Sequence, residues 1–381
     1  MKEKLNKNIT IFSPFLNPVG VKRATFGLAK EFSQNGYDVN LLSVHKEWEG
    51  FKLNENMKKT YLSTNFKRMP TEGFLIFRLT SLLIAISTFF SLRSFLKSNQ
   101  TEILFVSMMP TIAWLALKFS GKSKNIHLVI SLQGFPRDNI FRRIMWRKIF
   151  NHSKDVVAES EGLMKKVIKM TGVSKNVNYI YNPHFETQNE IKSKSEFVTP
   201  NFKYILGLGR LTKQKNFSLL IKAFSLIDNA NELKLIIIGN GEEKSKLKKI
   251  VNKMKINSEV LFLGNLEDPL GYLENAEFLV IPSLWEGLPR VAIEAQALKT
   301  PIISACEEGG LSEILMNGKA GIITKNNDVN EMKNSIEKYL QNPKMALSHS
   351  ELGFNNIERF ALETSAKEYL TKFSNYFEEN V

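Results

Sequence analysis

Short apolar runs alternate with stretches of helical period along this chain, and the alternation occurs twice. In the first half Ile9-Thr-Ile-Phe12, the helical pattern from Arg23 to Gly36 and Val39-Asn-Leu-Leu42 follow one another. Further strand candidates are Ile103–Val106, His127–Ile130 and Val156–Ala158. Strand, helix, strand in that order predicts a parallel sheet with helices on its faces. A polar, lysine-rich interval from Glu186 to Pro200 interrupts the rhythm and reads as an interdomain linker. A second alternation then runs through Tyr204–Leu208, Leu233–Ile238, Val260–Leu263, Phe278–Ile281 and Pro301–Ser304. The pattern predicts two doubly wound, Rossmann-like α/β domains, 1–185 and 200–357. The helical tail, 361–381, is expected to pack back on the first. Such sheets bind ligands at the carboxyl ends of their strands, so two of them facing a central cleft predict a site there.

At 381 residues and 43% hydrophobic content, the chain can bury two cores. Its single cysteine, Cys306, excludes an internal disulfide framework and a cysteine-based metal cluster, and its 5 histidines show no ligand spacing. No metal and no cofactor is expected. The charged start, Met1-Lys-Glu-Lys-Leu-Asn-Lys7, precedes an apolar run too brief for a signal-peptide core, so a cytoplasmic location is expected.

The net charge of +14 calls for nucleic acid, anionic lipid or phosphorylated substrates as partners, or for a solvated surface. Glu242–Lys255 has apolar residues at helical spacing and reads as a solvated amphipathic helix. Arg137–Phe150 differs, because Arg142, Arg143, Arg147 and Lys148 interleave with Phe, Trp and Ile. That composition suits an anionic membrane surface, and equally a buried helix with a basic outer face. Phe74–Arg93, interrupted by Arg78, is too short in its uncharged part to span about 30 Å and is expected to be a buried or interfacial helix. No basic and aromatic stacking motif accompanies the charge, so no nucleic-acid partner is expected.

The chemistry concentrates at strand ends of the second domain. Pro282-Ser-Leu-Trp-Glu286-Gly287-Leu288-Pro289 follows the run ending at Ile281, and Pro289 is expected near the first position of a helix carrying Glu294. A strand-to-helix junction presents backbone amides to an anion, while Glu286 and Glu294 can accept from hydroxyls. Phosphates with hydroxyls point to a nucleotide sugar, although a pair of glutamates on a helix is ordinarily a solvated face. Gly207-Leu-Gly209-Arg210-Leu-Thr-Lys-Gln-Lys215-Asn216 adds a glycine turn with a fork-shaped Arg and a Lys five residues on, suited to a diphosphate. Gly239-Asn-Gly241 lacks the third glycine of a dinucleotide fingerprint.

Taken together, Glu286–Glu294 with Lys299-Thr-Pro301, Gly209-Arg210 with Lys215-Asn216, and Gly309-Gly310-Leu-Ser-Glu313 resemble the retaining nucleotide-sugar glycosyltransferases of the GT-B fold, group 1 or family 4, of bacterial polysaccharide-biosynthesis type. The likeness spans nearly the whole chain, most strongly from Ser160 to Thr324. It implies that Arg210, Lys215 and Glu286 are catalytic, the two cations stabilising the leaving diphosphate without a metal. It further implies donor contacts at Gly20, Gly209, Gly239, Gly241, Glu286, Gly287, Leu288 and Glu294, the last on the ribose hydroxyls.

The first domain departs from the family pattern. The loop Pro18-Val19-Gly20-Val21 keeps only one of the usual paired glycines, and Ser131-Leu-Gln133-Gly134-Phe135 carries Gln133 where the family often has histidine. Gln133 is an acceptor-binding candidate that cannot carry a proton. The expectation is a retaining, metal-independent hexosyltransferase using a UDP-sugar and a glycan or polyprenyl-linked acceptor, in capsule or lipopolysaccharide synthesis, peripheral on the inner face of the membrane. A nucleotide-sugar epimerase of GT-B-like fold and a non-catalytic nucleotide-sugar-binding accessory protein are the alternatives.

Overall fold

The computed structural model describes residues 7–14, 19–44, 47–62, 74–134, 136, 138–186, 190–191, 198–228, 233–306, 309–324 and 327–378. Residues 1–6 of the charged start, Pro18, Phe135, Arg137 and most of the polar linker lie outside these. The chain divides into two compact units, Met1–Pro183 with Leu362–Val381, and His184–Ala361.

The first unit is a parallel sheet of β1 (Lys7–Phe12), β2 (Tyr37–Ser43), β3 (Met57–Tyr61), β4 (Ile103–Val106), β5 (His127–Leu132), β6 (Asp155–Ala158) and β7 (Val177–Tyr179), ordered β3-β2-β1-β4-β5-β6-β7. Its helices are α1 (Val19–Gln34), α2 (Phe74–Ser98), α3 (Pro110–Ser120), α4 (Ile140–His152) and α5 (Glu161–Thr171). The strands alternate between two apolar cores, which explains their unbroken apolar runs. Leu104, Val106, Leu128, Ile130, Val156 and Ala158 face a core shared with α2 to α5. Ile103, Phe105, Val129 and Val157 face the other, with Phe32 and Leu28 of α1. Side-chain caps fix two helix starts: Asn139 accepts from the Arg142 amide, and Ser160 from the Leu163 amide.

The second unit repeats the plan with β8 (Tyr204–Leu208), β9 (Lys234–Ile238), β10 (Val260–Gly264), β11 (Leu279–Ile281), β12 (Ile302–Ser304) and β13 (Ile322–Ile323), ordered β10-β9-β8-β11-β12-β13. Between and after them come α6 (Phe217–Phe224), α7 (Lys244–Met254), α8 (Leu270–Glu274), α9 (Arg290–Ala297), α10 (Gly310–Ile314), α11 (Val329–Gln341) and α12 (Pro343–Asn355). Glu242–Lys255 is realised as α7, with Leu247 and Val251 inside and lysines outward.

The closing helix α13 (Leu362–Glu378) belongs to the first unit. Leu362, Ala366, Tyr369, Phe373 and Tyr376, at helical spacing, are buried against α1 and the sheet. Phe373 meets Phe32 edge-on at 5.1 Å, and the Tyr376 hydroxyl donates to Asp155 of β6. Leu362 lies against Gly27, where an added Cβ would come within 3.0 Å of it.

Three strands carried no clear signal in the sequence. β3 and β7 are short edge strands with polar residues interspersed, and β13 has two residues. A single paired edge needs less apolar surface, so the pattern fades there. The stretch from Phe74 continues as one helix to Ser98, and among the described residues no helix is long and apolar enough to cross a membrane.

Candidate functional site

In the second unit β8 lies between β9 and β11, so the connection leaving β8 crosses one way and β11 enters from the other side. This is the topological switch point of the sheet, where the carboxyl-end loops part and leave a crevice. The two loops that flank it are Gly209–Asn216 after β8 and Pro282–Pro289 after β11.

Three contacts tie these loops together. The Lys215 ammonium donates to Glu286 Oε1 at 2.6 Å, with the two side chains only 18% and 7% exposed. The Leu284 amide donates to the Gln214 carbonyl at 2.9 Å, and Gln214 Nε2 donates to the Trp285 carbonyl at 2.9 Å. Lys215 and Glu286 are thus brought together across 71 residues of sequence. Arg210 is exposed on the same β8 loop, and among the described residues it forms no ion pair.

The glycines after β8 and β9 serve a packing purpose that the sequence left open. The Gly209 amide donates to the Ile238 carbonyl at 3.0 Å, and the Leu211 amide to the Asn240 carbonyl at 2.9 Å. Gly239 holds φ at +136°, and a Cβ there would overlap the Gly209 carbonyl; a Cβ on Gly241 would overlap the Leu211 carbonyl. The two loops therefore meet backbone to backbone, which only glycine permits. Gly310 makes the same kind of approach to the Gly287 carbonyl.

The helix after β11 begins beside Pro289, as expected. Pro289 is the residue before the first turn, with φ −70° and ψ 120°, and α9 starts at Arg290. A proline biases its predecessor away from helical backbone, and Pro289 itself takes an extended ψ, so the chain turns helical at Arg290. The amides of Arg290 and Val291 open α9 just past Gly287 and Leu288, while the Ala292 amide donates to the Pro289 carbonyl at 3.1 Å. Glu294 sits on this helix, 16% exposed, and accepts from Arg290 Nε at 2.7 Å. Burial pushes its carboxyl above the usual carboxylate range, Arg290 opposes that, and Asp268 adds to it.

Arg290 and His184 are residues of this region that sequence reasoning missed. Arg290 was legible as an Arg four residues before Glu294 on one helix face. His184 left no local signal: its backbone N–H donates to the Phe360 carbonyl at 3.0 Å, and its Nε2 is buried without a hydrogen-bond partner among the described residues. Burial, with Arg290 nearby, lowers the imidazole to about 3, so it is neutral.

Gly20 and Gln133 belong to the first unit. Gly20 lies in the first turn of α1, and Gln133 follows β5. Gln133 Nε2 donates to Asn182 Oδ1 at 3.2 Å while its Oε1 is buried without a partner among the described residues. The neighbouring Gly134 amide donates to Glu159 at 2.8 Å. Among the described residues no group of three His, Cys, Asp or Glu side chains is arranged to hold a metal ion.

Two family models cover the chain in succession: Glycosyltransferase Family 4 over residues 18–184 and Glycosyl transferases group 1 over residues 188–354. The chain is 28% identical over 337 residues to a Campylobacter jejuni enzyme, covering 85% of this chain and 86% of that one. That relative is named GalNAc-alpha-(1->4)-GalNAc-alpha-(1->3)-diNAcBac-PP-undecaprenol alpha-1,4-N-acetyl-D-galactosaminyltransferase. A glycosyltransferase from Rickettsia africae superposes with a TM-score of 0.78 at 17% identity, over 97% of this chain and 98% of that one. The Anabaena protein Alr3699/HepE in complex with UDP superposes with a TM-score of 0.73 at 15% identity, over 97% and 100%. At those identities the structural likeness establishes the two-domain fold.

Proposed function

We propose that this chain, which belongs to the GT-B glycosyltransferases, transfers a sugar from a nucleotide-sugar donor, a UDP-sugar first among them, to a glycan or polyprenyl-linked acceptor with retention of anomeric configuration. Its place in polysaccharide or lipid-linked glycan synthesis follows its relatives. The pairing of Lys215 with Glu286 across the switch-point crevice, with Arg210 on the same loop, carries this reading.

As the sugar–oxygen bond breaks, negative charge grows on the leaving diphosphate, and fixed cations stabilise it more in the transition state than in the ground state. We assign that work to Arg210, by a bidentate guanidinium contact, and to Lys215, as a point charge. Glu286 holds the Lys215 ammonium in place and, with the Gly287 and Leu288 amides, faces the donor sugar or its phosphate. Glu294, steadied by Arg290 on one oxygen, keeps the other for the ribose hydroxyls. The close-packed Gly209, Gly239 and Gly241 backbones form the floor beside the base. Gln133 is the acceptor-side candidate.

Thermal stabilisation by a panel of UDP-, GDP- and ADP-sugars, read beside Arg210→Ala and Glu294→Ala variants, tests the donor site. Stabilisation by one donor class that both variants lose supports it; no stabilisation by any donor overturns it. Product stereochemistry, read from the anomeric proton coupling, tests retention separately.

A further inference from the structure

The two loops that flank the switch-point crevice are not held equally. On the β8 loop the Leu211 side chain is fully buried, and Thr212 ties down the turn that follows. Its Oγ1 accepts from the Lys215 amide at 3.4 Å and its carbonyl from the Asn216 amide at 3.3 Å. Asn216 then opens α6 at φ 50°, a left-handed position that asparagine tolerates. On the β11 loop Pro282 and Ser283 are buried at one end. At the other end the Leu288 side chain is buried and Gly310 packs against the Gly287 carbonyl. Between those anchors the chain is least covered at Trp285, which is 51% exposed.

Gln214 spans that gap. Its carbonyl accepts from the Leu284 amide at 2.9 Å and its Nε2 donates to the Trp285 carbonyl at 2.9 Å, so one residue grips the chain on either side of the Leu284–Trp285 peptide. Among the described residues Trp285 forms no other hydrogen bond. The Lys215–Glu286 pair comes one residue later on both loops. The carbonyl that Gln214 holds belongs to the peptide that carries the Glu286 nitrogen. A peptide group is planar, so fixing its oxygen orients the Glu286 Cα and the direction in which its side chain leaves the backbone. Magnitudes decide what this bond is for. A neutral hydrogen bond within reach of water adds little net stability, whereas moving a group at the reacting centre by about 1 Å costs about a hundredfold in rate.

We propose that Gln214 is a positioning residue for sugar transfer: by holding the Trp285 carbonyl it sets the Glu286 carboxylate and the Gly287 and Leu288 amides against the donor sugar, and it leaves nucleotide binding to other groups. The assignment deepens the transferase reading and rests on it. Gln214→Met removes the side-chain donor at similar length, and Gln214→Glu replaces it with an oxygen that repels the carbonyl. The probes are UDP and the panel of UDP-sugars, with UDP release as the measure of turnover. Both variants should lower kcat about tenfold to a hundredfold while the donor KM stays within about threefold of wild type. Thermal stabilisation by UDP alone should be unchanged, because Arg210, Lys215 and Glu294 still hold the nucleotide, and melting temperatures should stay within a few degrees of wild type. Hydrogen exchange over residues 284–288 should be about tenfold faster in both variants, a readout that needs no turnover. Unchanged kcat, or exchange at the wild-type rate, overturns the assignment. So does loss of UDP stabilisation in step with kcat, because Gln214 then binds the nucleotide. A lower melting temperature with kcat per folded molecule intact overturns it as well, because the role is then structural alone. A wild type that no donor stabilises and that releases no UDP fails the transferase reading and this assignment with it, whereas an active wild type beside equally active Gln214 variants fails this assignment alone.

Discussion

The Lys215–Glu286 pair allows a structural role and a chemical role to be separated in one set of variants. The two side chains are 18% and 7% exposed and 2.6 Å apart, so neither charge is well hydrated once the other is removed. Breaking a fully buried pair costs about 3–5 kcal/mol, because the remaining charge is left uncompensated. Water still reaches part of Lys215, which lowers the expected cost of Glu286→Leu to about 2–3 kcal/mol. Lys215→Met leaves Glu286, the more buried partner, unpaired and should cost at least as much. The double variant Lys215→Met with Glu286→Leu leaves no orphaned charge and should be more stable than either single variant, a favourable coupling of about 2 kcal/mol. Urea unfolding followed by circular dichroism measures all four proteins. Turnover should not follow stability. If Lys215 neutralises the leaving diphosphate, Lys215→Met lowers kcat by about 10²–10³, and the double variant stays equally slow although it regains stability. Single variants costing under about 0.5 kcal/mol with strictly additive effects would refute the buried-pair argument. Recovery of kcat in the double variant would refute the catalytic one.

Three further outcomes are expected. His184 has a lowered folded pKa of about 3 against the ordinary 6.5, so the unfolded chain binds the proton first as pH falls; its stabilisation is present above pH 6.5 and is lost progressively toward pH 3. Unfolding free energies measured from pH 7.5 to 4.5 should therefore fall more steeply for wild type than for His184→Leu, and parallel slopes would discard the assignment. Gly239→Ala forces a Cβ onto the Gly209 carbonyl at a φ of +136°. It should cost about 1–3 kcal/mol and abolish donor-induced stabilisation, which calorimetry with and without nucleotide sugar will show. Phe373→Ala, on a fully buried residue of α13, should destabilise the first unit by about 3–5 kcal/mol in denaturant titration, and a loss below about 1 kcal/mol would mean that the helix is not held by that ring.

By itself the sequence determined the two successive α/β repeats, the central strands, the helices α1, α7 and α13, and which loops carry the charged and glycine residues. These are properties of short windows. A strand covered on both faces must be apolar throughout, as Ile103–Val106 is, and a helix covered on one side must repeat its apolar residues every three or four positions, as Leu362 to Tyr376 do. Tertiary structure decided the rest. Lys215 meets Glu286 only because β8 and β11 are neighbours in the sheet, and strand order is not written in any window. The purpose of Gly239 and Gly241 became visible only when the backbone they must admit was in place. His184 is neutral because of what surrounds it, and Ile140, Phe141 and Ile144 are conspicuous because they are exposed. Burial, and the proximity of residues far apart in the chain, are properties of the packed molecule, and the chemistry of each side chain is set by them.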